Sequence, residues 1–66
     1  MKGRIKKLNK QKGYGFIRAD NGQEIFFHKA ELAAGIVFNA LETGEELMFF
    51  IEEGKKGKKA TTIIKT

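Results

Sequence analysis

The 66-residue chain has no cysteine, serine, tryptophan or proline, and it has a single histidine, His28. Without cysteine there is no disulfide framework and no thiolate metal site. Without serine or cysteine, the nucleophiles of the common hydrolase triads are missing. A single histidine also excludes a histidine-rich metal site. We therefore expect a protein that is not an enzyme and that carries no metal and no cofactor.

Long apolar segments are also missing. The longest apolar run, Leu47 to Ile51, is far too short to span a bilayer. The basic start of the chain is not followed by the apolar segment of a secretory signal. A hydrophobic fraction of 41% is enough for a folded core, and the length suits one small domain over residues 1–66. The expected compartment is the cytoplasm, without membrane association.

The charge is abundant but unevenly distributed. Residues 1–18 carry seven cations and no acid, residues 19–54 carry eight acids and one cation, and residues 55–66 carry five lysines, for a net charge of +5. A basic surface that faces a phosphate backbone would explain this clustering. The alternative is a solvated lysine face that serves solubility, which is the usual role of charge runs.

Short β-prone segments recur along the chain. The sequence predicts five strands, interrupted by one short helix-prone stretch, Lys29 to Ala34, and by a loop from Ile36 to Gly44. Asn21-Gly22 is a strong hairpin signal between the second and third strands. A flexible basic loop is expected over Gly54 to Lys59. The predicted strands are Arg4–Leu8, Tyr14–Ala19, Glu24–His28, Leu47–Ile51 and Ala60–Lys65. Five short strands with little helix favour a sandwich or a small closed barrel.

The predicted hairpin places aromatic side chains on one face. Because side chains alternate along a strand, Lys12, Tyr14 and Phe16 share one face of the first arm. Phe26 and His28 share a face of the second arm. If the arms pair Phe16 with Phe26, the four rings form one surface, and each base stacked on it contributes about 1–3 kcal/mol.

The alternative is that these rings belong to the core. The opposite face of the hairpin supplies its own core residues, which are Ile17, Ile25 and Phe27. Further core positions are predicted at Ile5, Leu47, Phe49, Ile51 and Ile63. No long helix is predicted that could cover the aromatic face, and an uncovered patch of rings favours a ligand. His28 alone would be weak evidence, since a lone histidine is usually structural.

Two motifs in the hairpin resemble those of the cold-shock domain family. Lys12-Gly13-Tyr14-Gly15-Phe16-Ile17 is similar to its first ribonucleoprotein motif, and Ile25-Phe26-Phe27-His28 is similar to the second. The resemblance covers essentially the whole chain. It implies an all-β fold, a small five-stranded antiparallel Greek-key barrel of the OB type that binds single-stranded RNA or DNA with little sequence preference.

The resemblance also implies roles for individual residues. Rings that would stack on bases are Tyr14, Phe16, Phe26, His28 and Phe38. Lysines that would contact backbone phosphates are Lys6, Lys12 and Lys56. For Phe38, the alternative role is a loop anchor that caps the barrel.

The chain departs from the family at three positions. The family usually has tryptophan at Lys7, phenylalanine at Leu8 and phenylalanine at Lys29. Two stacking rings are thus replaced by lysines, so that Lys7 and Lys29 become further candidates for phosphate contacts. We expect weaker, more electrostatic and more salt-dependent binding than in a typical member.

A further departure lies outside the motifs. By alternation, Met48 and Phe50 face outward on the fourth strand, and Ile64 faces outward on the fifth. This apolar patch is a candidate for weak self-association or for a protein partner, unless lysine stems cover it. The sequence as a whole predicts a single-stranded nucleic-acid binder that acts as an RNA chaperone. The rival interpretation is a barrel that has lost most nucleic-acid binding and acts through protein contacts.

Overall fold

The computed structural model describes residues 1–54 and 57–66 and contains five strands. In chain order they are β1 (Lys2–Asn9), β2 (Tyr14–Ala19), β3 (Glu24–His28), β4 (Glu46–Gly54) and β5 (Gly57–Lys65). Only two short 3₁₀ turns, Lys29–Glu31 and Phe38–Ala40, interrupt them, and the described residues contain no α-helix. The helix-prone stretch thus forms one turn rather than a helix, because it ends at Leu32 in extended backbone.

The five strands close into a barrel in the order β1-β2-β3-β5-β4. Each strand is paired on both sides, so its main-chain groups find partners along two neighbours. Four of the five pairings are antiparallel, whereas β3 and β5 run parallel and meet at Phe26 and Lys59. The predicted all-β, five-stranded barrel is confirmed, and it is consistent with a small OB fold.

The hairpin between β2 and β3 forms where the sequence predicts it. Asn21 accepts a hydrogen bond from the Gln23 amide at 3.0 Å, and Gly22 takes a φ of 89° that few other residues adopt. These two residues reverse the chain within the turn. The bounds of both strands equal the predicted ones.

The core is formed by alternate side chains of the strands and is closed by the long loop. The predicted core residues are buried except Ile51, which is only partly buried at the core margin, where β4 is paired with β5 but no longer with β1. The loop between β3 and β4 adds Phe38 and Leu41, and the strands add Ala19 and Ala60. The loop is therefore a structural plug for one end of the barrel.

The hairpin between β4 and β5 is longer than expected. Its ladder extends to the pair Gly54–Gly57, so Gly57–Lys59 is part of β5 and not of a loop. The prediction of a flexible loop over Gly54 to Lys59 is wrong for these residues, because main-chain pairing across the hairpin overrides their glycine and lysine content. Lys55 and Lys56 lie outside the described residues.

A β-bulge interrupts β5. Met48 is paired with Ile64 and Phe50 with Thr61, so Thr62 and Ile63 together face Phe49. Thr62 has a φ of 49°, in the left-handed region that a β-branched residue adopts only at a cost in energy. The bulge keeps Ala60 and Ile63 both in the core although three positions separate them.

The strain at Thr62 leads to a prediction for the free energy of unfolding. Thr62→Gly relieves a left-handed conformation that costs about 1–2 kcal/mol, and the added chain entropy of glycine offsets about 0.5–1 kcal/mol of the gain. We expect the free energy of unfolding in urea to rise by up to about 1.5 kcal/mol. The matched control, Thr61→Gly in regular strand, should lower it. An equal loss of unfolding free energy in the two variants would contradict the assignment of strain to Thr62.

Candidate nucleic-acid interface

Pairing between β2 and β3 brings four rings to one outer face. Tyr14 is paired with His28, and Phe16 is paired with Phe26. Tyr14 and Phe16 are half-buried, Phe26 is 37% exposed and His28 is exposed. The structure thus places these four candidate residues together on the surface and not in the core. We call this surface the aromatic platform.

Three of the rings are in mutual contact. The centroid of the Tyr14 ring lies 6.3 Å from that of Phe16 and 5.6 Å from that of Phe26, and the Phe16 and Phe26 centroids are 5.8 Å apart. The Tyr14 and Phe16 rings meet edge to face, at an interplanar angle of 89°. Pairs of this kind contribute about 0.5–1.5 kcal/mol beyond the area they bury. The rings therefore support one another and are preorganised before any ligand arrives.

Gly15 lies between two platform residues but faces the interior. A Cβ atom at this position would be 2.6 Å from the Lys7 carbonyl oxygen and 2.8 Å from the Phe27 ring. The glycine is therefore required by the close approach of β1 and by the packing of Phe27 beneath the platform. Its structural role therefore lies on the inner side of the sheet, opposite the rings of the platform.

A hydrogen bond holds the His28 ring. The backbone amide of Ala30 donates to His28 Nδ1 at 3.1 Å, and this caps the turn Lys29–Glu31. Because Nδ1 accepts in this bond, the neutral ring carries its proton on Nε2. That N–H is a donor for an acceptor on a bound molecule.

Asn9 orders the turn beside Tyr14 and was missed in the sequence. Its Oδ1 accepts a hydrogen bond from the Lys12 amide at 3.0 Å, and its Nδ2 donates to the Tyr14 hydroxyl at 3.3 Å. Lys10 ties the same turn to the loop through a 2.9 Å bond to the Asn39 carbonyl. An asparagine at the start of a polar turn is a known turn-forming signal, so its local role could have been predicted but its contact with Tyr14 could not.

Lysines border the platform on the β1 side. Between Ile5 and Lys7 the register with β2 shifts by one residue, so that Lys6 is an extra residue and Lys7 faces Phe16. Both lysines are exposed. Lys7 lines a groove with Tyr14 and Phe16, and that groove runs towards Lys10. A bulge thus supplies two successive outward cations, which strict alternation along a strand cannot do.

Lys6 and Lys7 differ in their charge partners. The Lys6 ammonium is hydrogen-bonded and ion-paired to the Glu24 carboxylate. That hydrogen bond, reinforced by the positive charge of Lys6, holds the pKa of the Glu24 carboxyl below its usual value. Among the ion pairs of the described residues, none involves Lys7. The positive charge of Lys6 is consequently compensated by a carboxylate to a greater degree than that of Lys7.

Two further candidate lysines lie at the Tyr14 end of the platform. Lys12 is exposed in the turn that precedes Tyr14. The aliphatic stem of Lys29 lies over Gly13, where a Cβ would be 2.8 Å from Lys29 Cδ, and the Lys29 amide donates to the Gly13 carbonyl at 2.9 Å. The stem is therefore packed on the turn beside the rings. Lys56 lies outside the described residues.

Phe38 does not join the platform. Its ring is 7% exposed and packs against Phe27 in the core, with centroids 6.0 Å apart. The expectation of a solvent-facing stacking ring is corrected here, because the barrel end needs an apolar plug and Phe38 provides it together with Leu41. This position corresponds to the alternative of a loop anchor.

Residues 1–54 and 57–66 contain no group of three or more histidine, cysteine, aspartate or glutamate side chains that could hold a metal ion. No helix in the same residues has the length and apolar character needed to cross a membrane.

Comparison with known proteins agrees with this geometry. A family model described as the 'Cold-shock' DNA-binding domain matches residues 1–66. The chain is 38% identical over 64 residues to the cold shock protein CspB of Geobacillus stearothermophilus, which covers 97% of this chain and 96% of that protein. It is 40% identical over 63 residues to the major cold shock protein of Streptococcus pyogenes serotype M1, with 96% and 92% covered. The chain therefore belongs to the cold-shock domain family, whose members bind nucleic acid and are not enzymes.

Proposed function

We propose that the protein binds single-stranded RNA or DNA with little sequence preference and acts as an RNA chaperone. The observation that supports this most directly is the aromatic platform, in which the rings of Tyr14, Phe16 and Phe26 are in contact with one another on the barrel exterior. Each ring offers a flat apolar surface to an unpaired base, and every base has a face that can stack. A base held within a duplex presents no such face to the rings.

Lysines beside the rings supply the second part of the mechanism. Lys7, Lys12 and Lys29 border the platform, and none of them takes part in an ion pair of the described residues. Their ammonium groups attract the phosphate backbone and release condensed counterions, which makes binding depend on salt. Lys6 contributes in the same way once a phosphate competes with Glu24 for its ammonium group.

The chaperone activity follows from competition. Bases stacked on the platform are withdrawn from RNA hairpins, so an RNA trapped in a wrong pairing exchanges more readily. The chain needs no nucleotide hydrolysis for this, because binding energy alone shifts the pairing equilibrium. The rings contribute through stacking rather than through base-edge readout, which is consistent with low sequence preference.

Loss of one ring should weaken binding. Phe26→Ala removes an exposed stacking surface worth about 1–3 kcal/mol, so the dissociation constant for a short oligothymidine should rise about 5- to 150-fold. Tyr14 is the only tyrosine and the chain has no tryptophan, so quenching of tyrosine fluorescence monitors the platform directly. The matched control is Phe50→Ala, an exposed phenylalanine on β4. Equal affinities of the two variants would contradict the role of the platform.

The two lysines that depart from the family pattern should determine the salt dependence. Each phosphate contact on a single strand contributes about 0.7 to the slope of log affinity against log salt. A Lys7→Trp, Lys29→Phe variant should therefore have a slope shallower by about 1.4 and should bind more tightly in high salt because it gains stacking surface.

Oligonucleotide affinity measured at several salt concentrations gives the slope. The control variant loses the same number of positive charges at positions away from the platform. Lys2→Gln with Lys65→Gln removes two cations from the β1–β4–β5 side of the barrel. The control should keep the wild-type slope to within about 0.3, since its lysines lie away from the platform. If both double variants gave the wild-type slope, Lys7 and Lys29 would not be phosphate contacts.

A further inference from the structure

The outward residues of β2 and β3 continue beyond the aromatic platform towards the hairpin turn. Arg18 follows Phe16 on the outer face of β2, because side chains alternate along a strand. Glu24 precedes Phe26 in the same way on β3, and Arg18 is paired with Glu24 across the two strands. The next cross-strand pair after the rings is therefore an arginine and a glutamate, and both are exposed.

An ion pair lies across this end of the platform. The Lys6 ammonium on β1 is hydrogen-bonded to the Glu24 carboxylate on β3. Since β2 lies between β1 and β3, the contact passes over β2, and the strand register places it between Phe16 and Arg18. A groove of about 330 Å³ at this place is lined by Lys6, Lys7, Phe16 and Glu24.

The Glu24 carboxylate lies between two cations. Lys6 donates a hydrogen bond to it, and Arg18 is its cross-strand neighbour. The hydrogen bond and the charge of Lys6, followed by the charge of Arg18, hold the pKa of the Glu24 carboxyl below its usual value. The place that the carboxylate occupies therefore favours an anion.

Two arginines lie side by side next to this place. Arg4 on β1 is paired directly with Arg18 on β2, and like charges directly opposite each other destabilise a sheet. Arg4 donates to the Gly44 carbonyl at 3.0 Å and lies 3.9 Å from Glu46. By contrast, no ion pair of the described residues involves Arg18. An anion bound at Arg18 compensates a charge that the rest of the sheet leaves in excess.

We propose that Lys6 and Arg18 form a phosphate-binding subsite at the end of the platform. The Glu24 carboxylate occupies this subsite as an internal substitute for phosphate until a strand binds. The inference rests on the proposed binding of single-stranded nucleic acid, and it adds Arg18 and Glu24 to the residues that determine affinity. When the strand arrives, its phosphate displaces the carboxylate and accepts the hydrogen bond of Lys6.

The position of the subsite favours the backbone of the bound strand as the anion. Arg18 lies two residues beyond Phe16 on β2, which is about 7 Å along the strand. A base stacked on Phe16 therefore brings the neighbouring phosphate within reach of the arginine. The planar guanidinium can donate two parallel hydrogen bonds to phosphate oxygens. Glu24 is exposed, so the displaced carboxylate can turn into solvent.

Competition by Glu24 makes strand binding weaker and more readily reversible. Each phosphate that enters the subsite has to replace the carboxylate, and the carboxylate can return when the strand loosens. Release of this kind is required of a chaperone, because an RNA that stays bound cannot form its correct pairs.

Removal of the internal carboxylate should tighten binding. Glu24→Gln keeps the size of the side chain and leaves Lys6 and Arg18 free for the strand. The dissociation constant for an oligothymidine of about eight nucleotides should fall about two- to fivefold at low salt. Quenching of tyrosine fluorescence measures it.

The control for Glu24→Gln removes an ion-paired carboxylate from another wall of the barrel. Glu45, which precedes β4, lies 3.3 Å from Lys65 on β5. Glu45→Gln should change the dissociation constant by less than about 1.5-fold, because solvent and salt screen its distance from the platform. The outward side chains of this wall are apolar and exposed, as strand alternation predicts. They are Met48, Phe50 and Ile64, with exposed fractions of 37%, 69% and 42%.

Substitution of Arg18 tests the other half of the subsite. Arg18→Gln should make the slope of log affinity against log salt shallower by about 0.7, the contribution of one phosphate on a single strand. Arg18→Lys retains the charge and should retain the slope, although it binds less tightly because lysine lacks the paired donors. A role of Arg18 in folding alone would not distinguish the two variants in this way.

Two results would overturn the proposal. One is a Glu24→Gln variant that binds no more tightly than Glu45→Gln. The other is an Arg18→Gln variant that keeps the wild-type slope. If Phe26→Ala still weakens binding in either case, the aromatic platform stands and only the subsite fails. A wild-type chain that does not bind the oligothymidine contradicts both proposals. Circular dichroism of each variant excludes loss of fold as the cause.

Discussion

The register between β2 and β3 is the constraint on which both the core and the surface depend. Pairing of Phe16 with Phe26 puts two rings outside, and the adjacent pairing of Gly15 with Phe27 puts the largest buried ring inside. A register slip of one residue would turn the inward side chains of one strand outward and its outward side chains inward. Burial of Ile17, Ile25 and Phe27 makes such a slip costly, so the hydrophobic core also holds the platform in place.

Two walls of the barrel differ in the chemistry of their outward side chains. The wall of β2 and β3 carries aromatic rings with lysines beside them, and the wall of β4 and its neighbours carries apolar side chains between paired charges. Closure of the barrel makes this division possible, since it leaves each strand paired on both sides and turns its outward residues in different directions. A flat sheet of five strands would have only one outer face for both surfaces.

Much of this arrangement could be predicted from the sequence. Strict alternation and the Asn21-Gly22 turn predict the hairpin, and the residues of its two faces follow from them. The conformation of the loops was harder to predict. For Phe38 the sequence favours a stacking ring over a loop anchor, but a loop has no alternation that would decide the orientation of its side chains, and the ring is buried. The extent of β5 was also missed, since cross-strand pairing holds Gly57–Lys59 in strand geometry against their local preference.

Contacts between residues far apart in the chain account for the remaining differences between the predicted and the observed structure. The contact of Asn9 with Tyr14, the pairing of Lys6 with Glu24 and the approach of β1 to Gly15 depend on how strands meet in space. Local sequence patterns do not show which distant residues come into contact. The shift in β1 that makes both Lys6 and Lys7 face outward belongs to the same class.

The two bulges also determine where the chain tolerates a change in length. Ile5 and half-buried Leu8 both pack towards the core with Lys6 and Lys7 between them, as Ala60 and Ile63 do with Thr61 and Thr62 between them. Deletion of one intervening residue would restore regular pairing without exchanging the inner and outer faces of the strand. Elsewhere in a strand, loss of one residue inverts every side chain beyond it. The bulges are thus the places where β1 and β5 can shorten by one residue and still keep the barrel filled.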